Sequence, residues 1–315
     1  MRIAFFGTPE PAAALLAELI NSPHEIVLVV TQPDRPKGRG QKVVAPPVKE
    51  LALRYALPVE QPDKLKDNAV FRALLGSLAA DIAVVVAYGK IIPADILQLP
   101  KFGFINVHAS LLPKYRGAAP VQWALLNGEK ETGVTIFKLV EQLDAGPIVS
   151  QKSLTIRPSD TAESLLGRLF ELSKPLLTET LDAIAAGSAQ FRPQDETAVT
   201  YAPALTRESG EIDWRKSAAE INNRIRALVP WPAAHTFYRG KRLQILRAEQ
   251  YNIDLAASDR LPGTILHILK SDGFVVATGQ GNLLVREVKP EAGKAMNAYN
   301  FVLGHDVKTA ETLPN

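Results

Sequence analysis

Residues 81–88 read DIAVVVAY and residues 25–30 read EIVLVV. Both runs are apolar at successive positions, so both faces of each would be covered. A strand buried on two sides belongs to a parallel sheet with helices above and below it. Outward from these runs, RIAFF (2–6) and GFINV (103–107) have the same character. Helical apolar spacing occupies 10–20, 47–55, 65–79 and the short segment 93–98 between them. The alternation predicts a doubly wound, mostly parallel α/β fold. Two more strand-like runs follow, GVTIFKL (133–139) and PIVSQKSL (147–154). A long amphipathic helix is then expected from Thr161 to about Ala186, capped by Ser159-Asp160.

The periodicity fails in AQFRPQDETAVTYAPAL (189–205), which reads as a linker. Beyond a helix at 217–228 and the breaker Pro230-Trp231-Pro232, short alternating runs are separated by turns: HTFY, RLQILRAE, PGTILHIL, FVVAT and LLVREV. That spacing predicts a smaller OB-like β-barrel. The expected organisation is therefore a first domain over 1–188, a linker over 189–206 and a second domain over 207–315. A chain of 315 residues exceeds what one core usually supports, which agrees with two domains.

There is no cysteine, which excludes disulfides, a thiol nucleophile and a cysteine-based zinc site. The start MRIAFFGTPE has neither the charge nor the apolar length of a secretory signal or membrane span, and a cytoplasmic protein without a membrane partner is expected. Net charge is only +3, yet it is unevenly placed: residues 204–315 hold 15 Lys+Arg against 12 Asp+Glu, and the rest of the chain is balanced. The excess fits a polyanionic partner or ordinary surface charge. His24, His235, His267 and His305 lack metal-ligand spacing, and no metal is expected.

The stretch INVHASLLPKYRG (105–117) carries the chemistry. Side chains at i and i+2 of a strand leave by one face, so Asn106 and His108 point into the same space. A carboxamide beside an imidazole suits a carbonyl oxygen that gains negative charge, and Asp144 in LDAGP adds a carboxylate 36 residues later to orient the ring or relay a proton. The pattern points to acyl transfer. FFGTPEPAA has one glycine where a dinucleotide fingerprint needs three, which disfavours hydride transfer. Gly7 and Thr8 fit either a turn with its cap or a small polar ligand at a helix N-terminus. The segment TQPDRPKGRGQKVVAP (31–46) sets Arg35, Lys37, Arg39 and Lys42 against a single acid, Asp34. A loop this long without secondary structure is either functional or simply solvated.

Taken in order, FFGTP, TQPDRPKGRG, VVVAYGKIIP, INVHASLLPKYRGAAP, TGVTIFKLVEQLDAGPI, QDETAVTYA and PWPA resemble the methionyl-tRNA formyltransferases nearly end to end. Other 10-formyltetrahydrofolate-dependent formyltransferases share mainly the Asn-x-His, SLLP and Asp-x-Gly elements. Pro11, where an aromatic residue is common, and the ending GHDVKTAETLPN depart from the pattern. The resemblance implies a formyltransferase-like Rossmann variant, with Asn106, His108 and Asp144 as the catalytic trio. It implies that Ser110, Leu111, Leu112 and Pro113 bind the folate, and that the 86–90 backbone, at Val86 and Tyr88, lines the pterin pocket. It also implies that Arg39, flanked by Lys37 and Lys42, engages the acceptor end of the initiator tRNA.

On that resemblance, 10-formyltetrahydrofolate is the formyl donor and co-substrate, and the acceptor is the α-amine of methionylated initiator tRNA. The enzyme is expected to act as a monomer without a metal. An α-amine titrates near 7.7–8.0, so at neutral pH it needs little activation. The demand falls on the oxyanion and on moving a proton to the departing N10. Asn106 and His108 suit the first task, and Asp144 suits the second. Two other readings compete: a formyl-folate enzyme with a small amine acceptor, and a noncatalytic RNA-binding relative.

Overall fold

The computed structural model describes residues 1–37, 41–252 and 261–314, all but the Lys37 side chain. In chain order the elements through the first two-thirds are β1 (Arg2–Gly7), α1 (Glu10–Ile20), β2 (Glu25–Val30), β3 (Arg35–Lys37), β4 (Lys42–Val44), α2 (Pro47–Arg54), β5 (Val59–Glu60), α3 (Ala69–Ser77), β6 (Ile82–Val86), α4 (Ala94–Leu97), β7 (Phe104–His108), α5 (Pro120–Leu126), β8 (Glu131–Lys138), β9 (Ile148–Thr155) and α6 (Ala162–Ala185). They are followed by α7 (Ala218–Leu228), β10 (His235–Tyr238), β11 (Lys241–Gln250), β12 (Ile265–Leu269), β13 (Gly273–Ala277), β14 (Asn282–Pro290), β15 (Met296–Asn297) and α8 (Ala298–His305). Contacts divide the chain into two units. The first holds Met1–Gly117, Glu131–Thr155 and Leu166–Tyr201, and the second holds Ala118–Lys130, Ile156–Leu165 and Ala202–Asn315.

The first unit is built on one sheet in the order β5-β2-β1-β6-β7-β8-β9. Pairing is parallel from β5 to β7, and β8 and β9 add antiparallel strands at the far edge. β1 stands where the order reverses, with β2 on one side and β6 on the other. The crevice beyond the carboxyl ends at such a switch point is where open α/β sheets place ligands. All five residues of β6 are buried, as expected for IAVVV. Phe6 joins β1 to this core, its ring 5.2 Å from Phe104, 5.5 Å from Tyr88 and 6.3 Å from Phe71. Pro11 lies in the first turn of α1, where a proline loses no helical hydrogen bond.

Residues 31–46 differ from the structureless loop expected. β3 and β4 form an antiparallel hairpin with Arg35 opposite Val44 and Lys37 opposite Lys42. Two three-residue strands, one containing Pro36, give no alternation long enough to be read from sequence. Residues 189–201, expected as linker, are bound to the first unit: Arg192 bridges Ile148, and Tyr201 bridges Arg116.

The second unit has the antiparallel sheet expected, in the order β10-β11-β14-β13-β12 with β15 on β14. Among the described residues no strand pairing joins β10 to β12. The last residues stand there instead: Thr312 bridges Thr264 beside β12, Thr236 of β10 donates to the Pro314 carbonyl at 2.9 Å, and Leu313 is buried. The ending that matched no motif thus covers the edges of the sheet. Trp214 fills this core, fully buried, with its indole N–H 3.2 Å from Thr236 Oγ1, whereas Trp231 is exposed. α7 starts on a capping box between Ser217 and Glu220 and packs against α5 and β11.

Phe6 links β1, α3, β7 and the segment after β6. Phe6→Ala should lower the unfolding free energy by about 3–5 kcal/mol, read from urea denaturation followed by circular dichroism.

Candidate active site

Register decides which residues meet at the crevice. Gly7 pairs with Val86 across β1 and β6, and Val85 pairs with Asn106 across β6 and β7. The segment after β6 therefore leaves the sheet beside Asn106 and His108. Val86 and Tyr88 turn their side chains inward: both are buried, and burial pushes the Tyr88 hydroxyl up to about 12. Their backbone faces the crevice end. The Tyr88 carbonyl accepts from Thr8 Oγ1 at 3.2 Å and Gln32 Nε2 at 3.0 Å, which ties the ends of β1, β2 and β6 together. Lys90 fixes the same segment from below, donating to the Pro62 and Asp63 carbonyls, and its burial lowers the ammonium from its ordinary range.

Asn106 is half-buried, and its carboxamide has no hydrogen-bond partner among the described residues. His108 is 7% exposed. Its Nε2 lies 2.9 Å from the Tyr115 carbonyl, an acceptor only, so Nε2 carries the hydrogen and donates it. The ring also stands edge-on to Phe137, with centroids 6.2 Å apart. Its other nitrogen, Nδ1, then faces Asp144 Oδ2 at 3.8 Å, within ion-pair reach and outside a direct hydrogen bond. Asp144 is in turn held by the Gly117 N–H, which donates to Oδ2 at 2.8 Å. Its own backbone is left-handed, with φ of 48°, a conformation uncommon for a residue with a side chain but one that aspartate tolerates better than most.

The SLLP turn is held from outside itself. Ser110 is fully buried, and its hydroxyl closes the turn onto the Lys114 carbonyl at 2.7 Å. Thr135, which pairs with His108 across β7 and β8, donates to the Ser110 carbonyl at 2.6 Å and accepts from the Leu112 N–H at 3.1 Å. Gln151 bridges Thr135 Oγ1 and the Leu112 carbonyl at 2.8 and 2.9 Å. Leu112 is buried against Phe137 and Ile148, while Leu111 and Pro113 are half-buried. A side chain on Gly133 would collide with Leu111 and the Lys152 carbonyl, so that position needs hydrogen. Sequence reasoning missed Thr135 and Gln151. Their one signal was their position in strands leading toward the motif, within GVTIFKL and PIVSQKSL.

Of the basic residues singled out, Arg39 lies outside the described residues. Lys42 is exposed on β4, opposite Lys37 on β3. The only acid of that segment is already engaged: Asp34 accepts from Lys49 at 2.7 Å and from Gln61 at 2.7 Å, which holds its carboxyl below the usual range. Among the described residues no three His, Asp or Glu side chains are placed to hold a metal, and no helix is long and apolar enough to cross a membrane.

A model of the formyl transferase family matches residues 1–181, and a model of the formyl transferase C-terminal domain matches residues 204–306. A methionyl-tRNA formyltransferase of Thermodesulfovibrio yellowstonii is 45% identical over 305 residues, covering 97% of this chain and 96% of the relative. Another, from Caldanaerobacter subterraneus subsp. tengcongensis, is 43% identical, covering 98% of both chains. Among solved structures, HypX from Aquifex aeolicus in complex with tetrahydrofolic acid aligns with a TM-score of 0.66 at 18% identity, covering 100% of this chain and 51% of that one. That likeness carries the fold alone. The chain belongs to the formyl transferase family, in the branch of the methionyl-tRNA formyltransferases.

Thr135→Val should leave the Ser110 carbonyl and the Leu112 N–H without partners and cost on the order of 1–3 kcal/mol of stability. Thermal denaturation checks this against Thr135→Ser, which keeps the hydroxyl and should lose less.

Proposed function

We propose that the chain transfers the formyl group of 10-formyltetrahydrofolate to the α-amine of methionyl initiator tRNA. The observation that carries the reading is the pairing, at the end of β7, of an unpartnered Asn106 carboxamide with a His108 ring oriented toward Asp144. The full-length relatives support the acceptor. The Tyr88 segment at the switch point and the SLLP turn after β7 suit the folate, since the hydrogen bonds that pin them give that end of the sheet a fixed shape.

Asn106 donates to the formyl oxygen as negative charge gathers there. His108 has its Nε2 hydrogen committed to Tyr115, so only Nδ1 is available, as a second donor whenever it carries a proton. Asp144, 3.8 Å from Nδ1, takes the proton leaving the attacking nitrogen and returns it to N10 as the carbon–nitrogen bond breaks; the gap accommodates transfer through the ring or a bridging water. The exposed Lys42, with Lys37 and Arg39, supplies cationic contacts for the tRNA acceptor end. We place the enzyme in the cytoplasm, a compartment where a chain without cysteine forgoes no disulfide, and take it to act as a monomer.

The decisive assay offers formyl donor with charged initiator tRNA and, in parallel, with glycinamide ribonucleotide. Formylmethionyl-tRNA alone should form; transfer to the small amine would overturn the acceptor. Asn106→Ala should lower kcat on the order of 10²–10³-fold. Its unfolding midpoint should stay near wild type, because the carboxamide holds nothing within the fold. Arg39→Ala should raise KM for tRNA and leave folate binding intact, with an effect that shrinks as salt is raised.

A further inference from the structure

The catalytic aspartate is held at both ends, and one of those holds comes from a residue that no motif chemistry assigns. Gln194 donates both amide hydrogens to backbone carbonyls, Asp144 O at 2.7 Å and Gly146 O at 2.8 Å. Its Oε1 accepts twice from Arg116, from Nε at 3.1 Å and Nη2 at 2.9 Å. Two carbonyls demand the amide nitrogen and a guanidinium demands the oxygen, so the orientation of the group is fixed. Arg116 is 1% exposed and completes its contacts on Glu196, at 2.8 Å from Nη2 and 3.3 Å from Nη1. That hydrogen bond holds the Glu196 carboxyl below its ordinary range.

The same segment grips the opposite jaw. The Arg116 N–H donates to the Thr200 carbonyl at 2.9 Å, and the Tyr115 N–H donates to Thr200 Oγ1 at 2.9 Å. Tyr115 supplies the carbonyl that orients His108, and Gly117, next to Arg116, supplies the N–H that holds the Asp144 carboxylate. Residues 194–200 therefore bond to Tyr115 on the His108 side and to Asp144 on the other, and Gln194 is the one that bonds to the aspartate itself.

We infer that Gln194 is a positioning residue for the reaction: its carboxamide holds Asp144 in the left-handed turn that aims its carboxylate at His108. The inference rests on the formyl-transfer reading above. Gln194→Glu is the sharpest test, because it keeps the size of the side chain and strengthens the bond to Arg116, yet sets an anion against the Asp144 and Gly146 carbonyls. A displaced reacting group costs up to about 10²-fold in rate. In Gln194→Glu, kcat should fall on the order of 10–10²-fold, with KM for folate and tRNA changed less than about threefold and the protein still folded at the assay temperature. The midpoint of the pH–kcat limb should also move. Gln194→Ala should show the same kcat loss with a lowered melting temperature.

In an Asp144→Asn background, Gln194→Glu should have no further effect on kcat, since the group it positions has lost its charge. A folded Gln194→Glu with wild-type kcat and an unmoved pH limb, or losses that multiply in the double variant, would overturn the inference. Wild-type protein runs beside each variant: no transfer by wild type would fail the functional reading instead.

Discussion

A carboxylate exposed by only 11% needs a donor within reach, and Asp144 finds it in the backbone N–H of Gly117. That bond constrains everything around it. It requires the turn after the SLLP motif to approach the loop after β8, two segments far apart in sequence. It also leaves the second oxygen of the carboxylate unclaimed among the described residues. The imidazole then meets an acid whose direction is set before any ligand arrives, as electrostatic preorganisation demands.

The sheet brings these segments into range, and aromatic packing keeps it stiff. β6, buried throughout, aligns with both β1 and β7, so a slip of one residue in either pairing would turn Asn106 and His108 toward the wrong face. Phe6, Phe104 and Phe71 fill the layer beneath. The polar bracket of Thr135 and Gln151 lies on the strands at the opposite edge, so the motif between is supported from both sides by groups that do no chemistry of their own.

Much of the sheet was legible because hydrophobic runs declare burial on both faces, and the Asn106–His108 pair was legible because a strand has a period of two. α6 and α7 were legible because their apolar spacing is long, though the side chain that caps α6 is Thr161 and not the expected Ser159-Asp160. The roles of Gln194 and Thr200 were not, since a side chain that bonds to the backbone leaves no periodic trace and its partner carbonyl or amide has no sequence signature at all. The β3–β4 hairpin was hidden by its brevity and by Pro36. The place of the ending was hidden because Thr312 and Leu313 act through sheet edges formed by residues near 236 and 264.

The second unit is not a continuous run of chain. It includes Ala118–Lys130 and Ile156–Leu165, and α5 from the first of these packs on α7. A gene cut before residue 204, where the C-terminal family match begins, would separate α7 from that partner while leaving Ile221 and Ile225 in the core they share with Trp214 and the strands. Domain shuffling at this junction would therefore break the α5–α7 contact, and recombination between homologues is better tolerated where α5 and α7 are inherited from one parent.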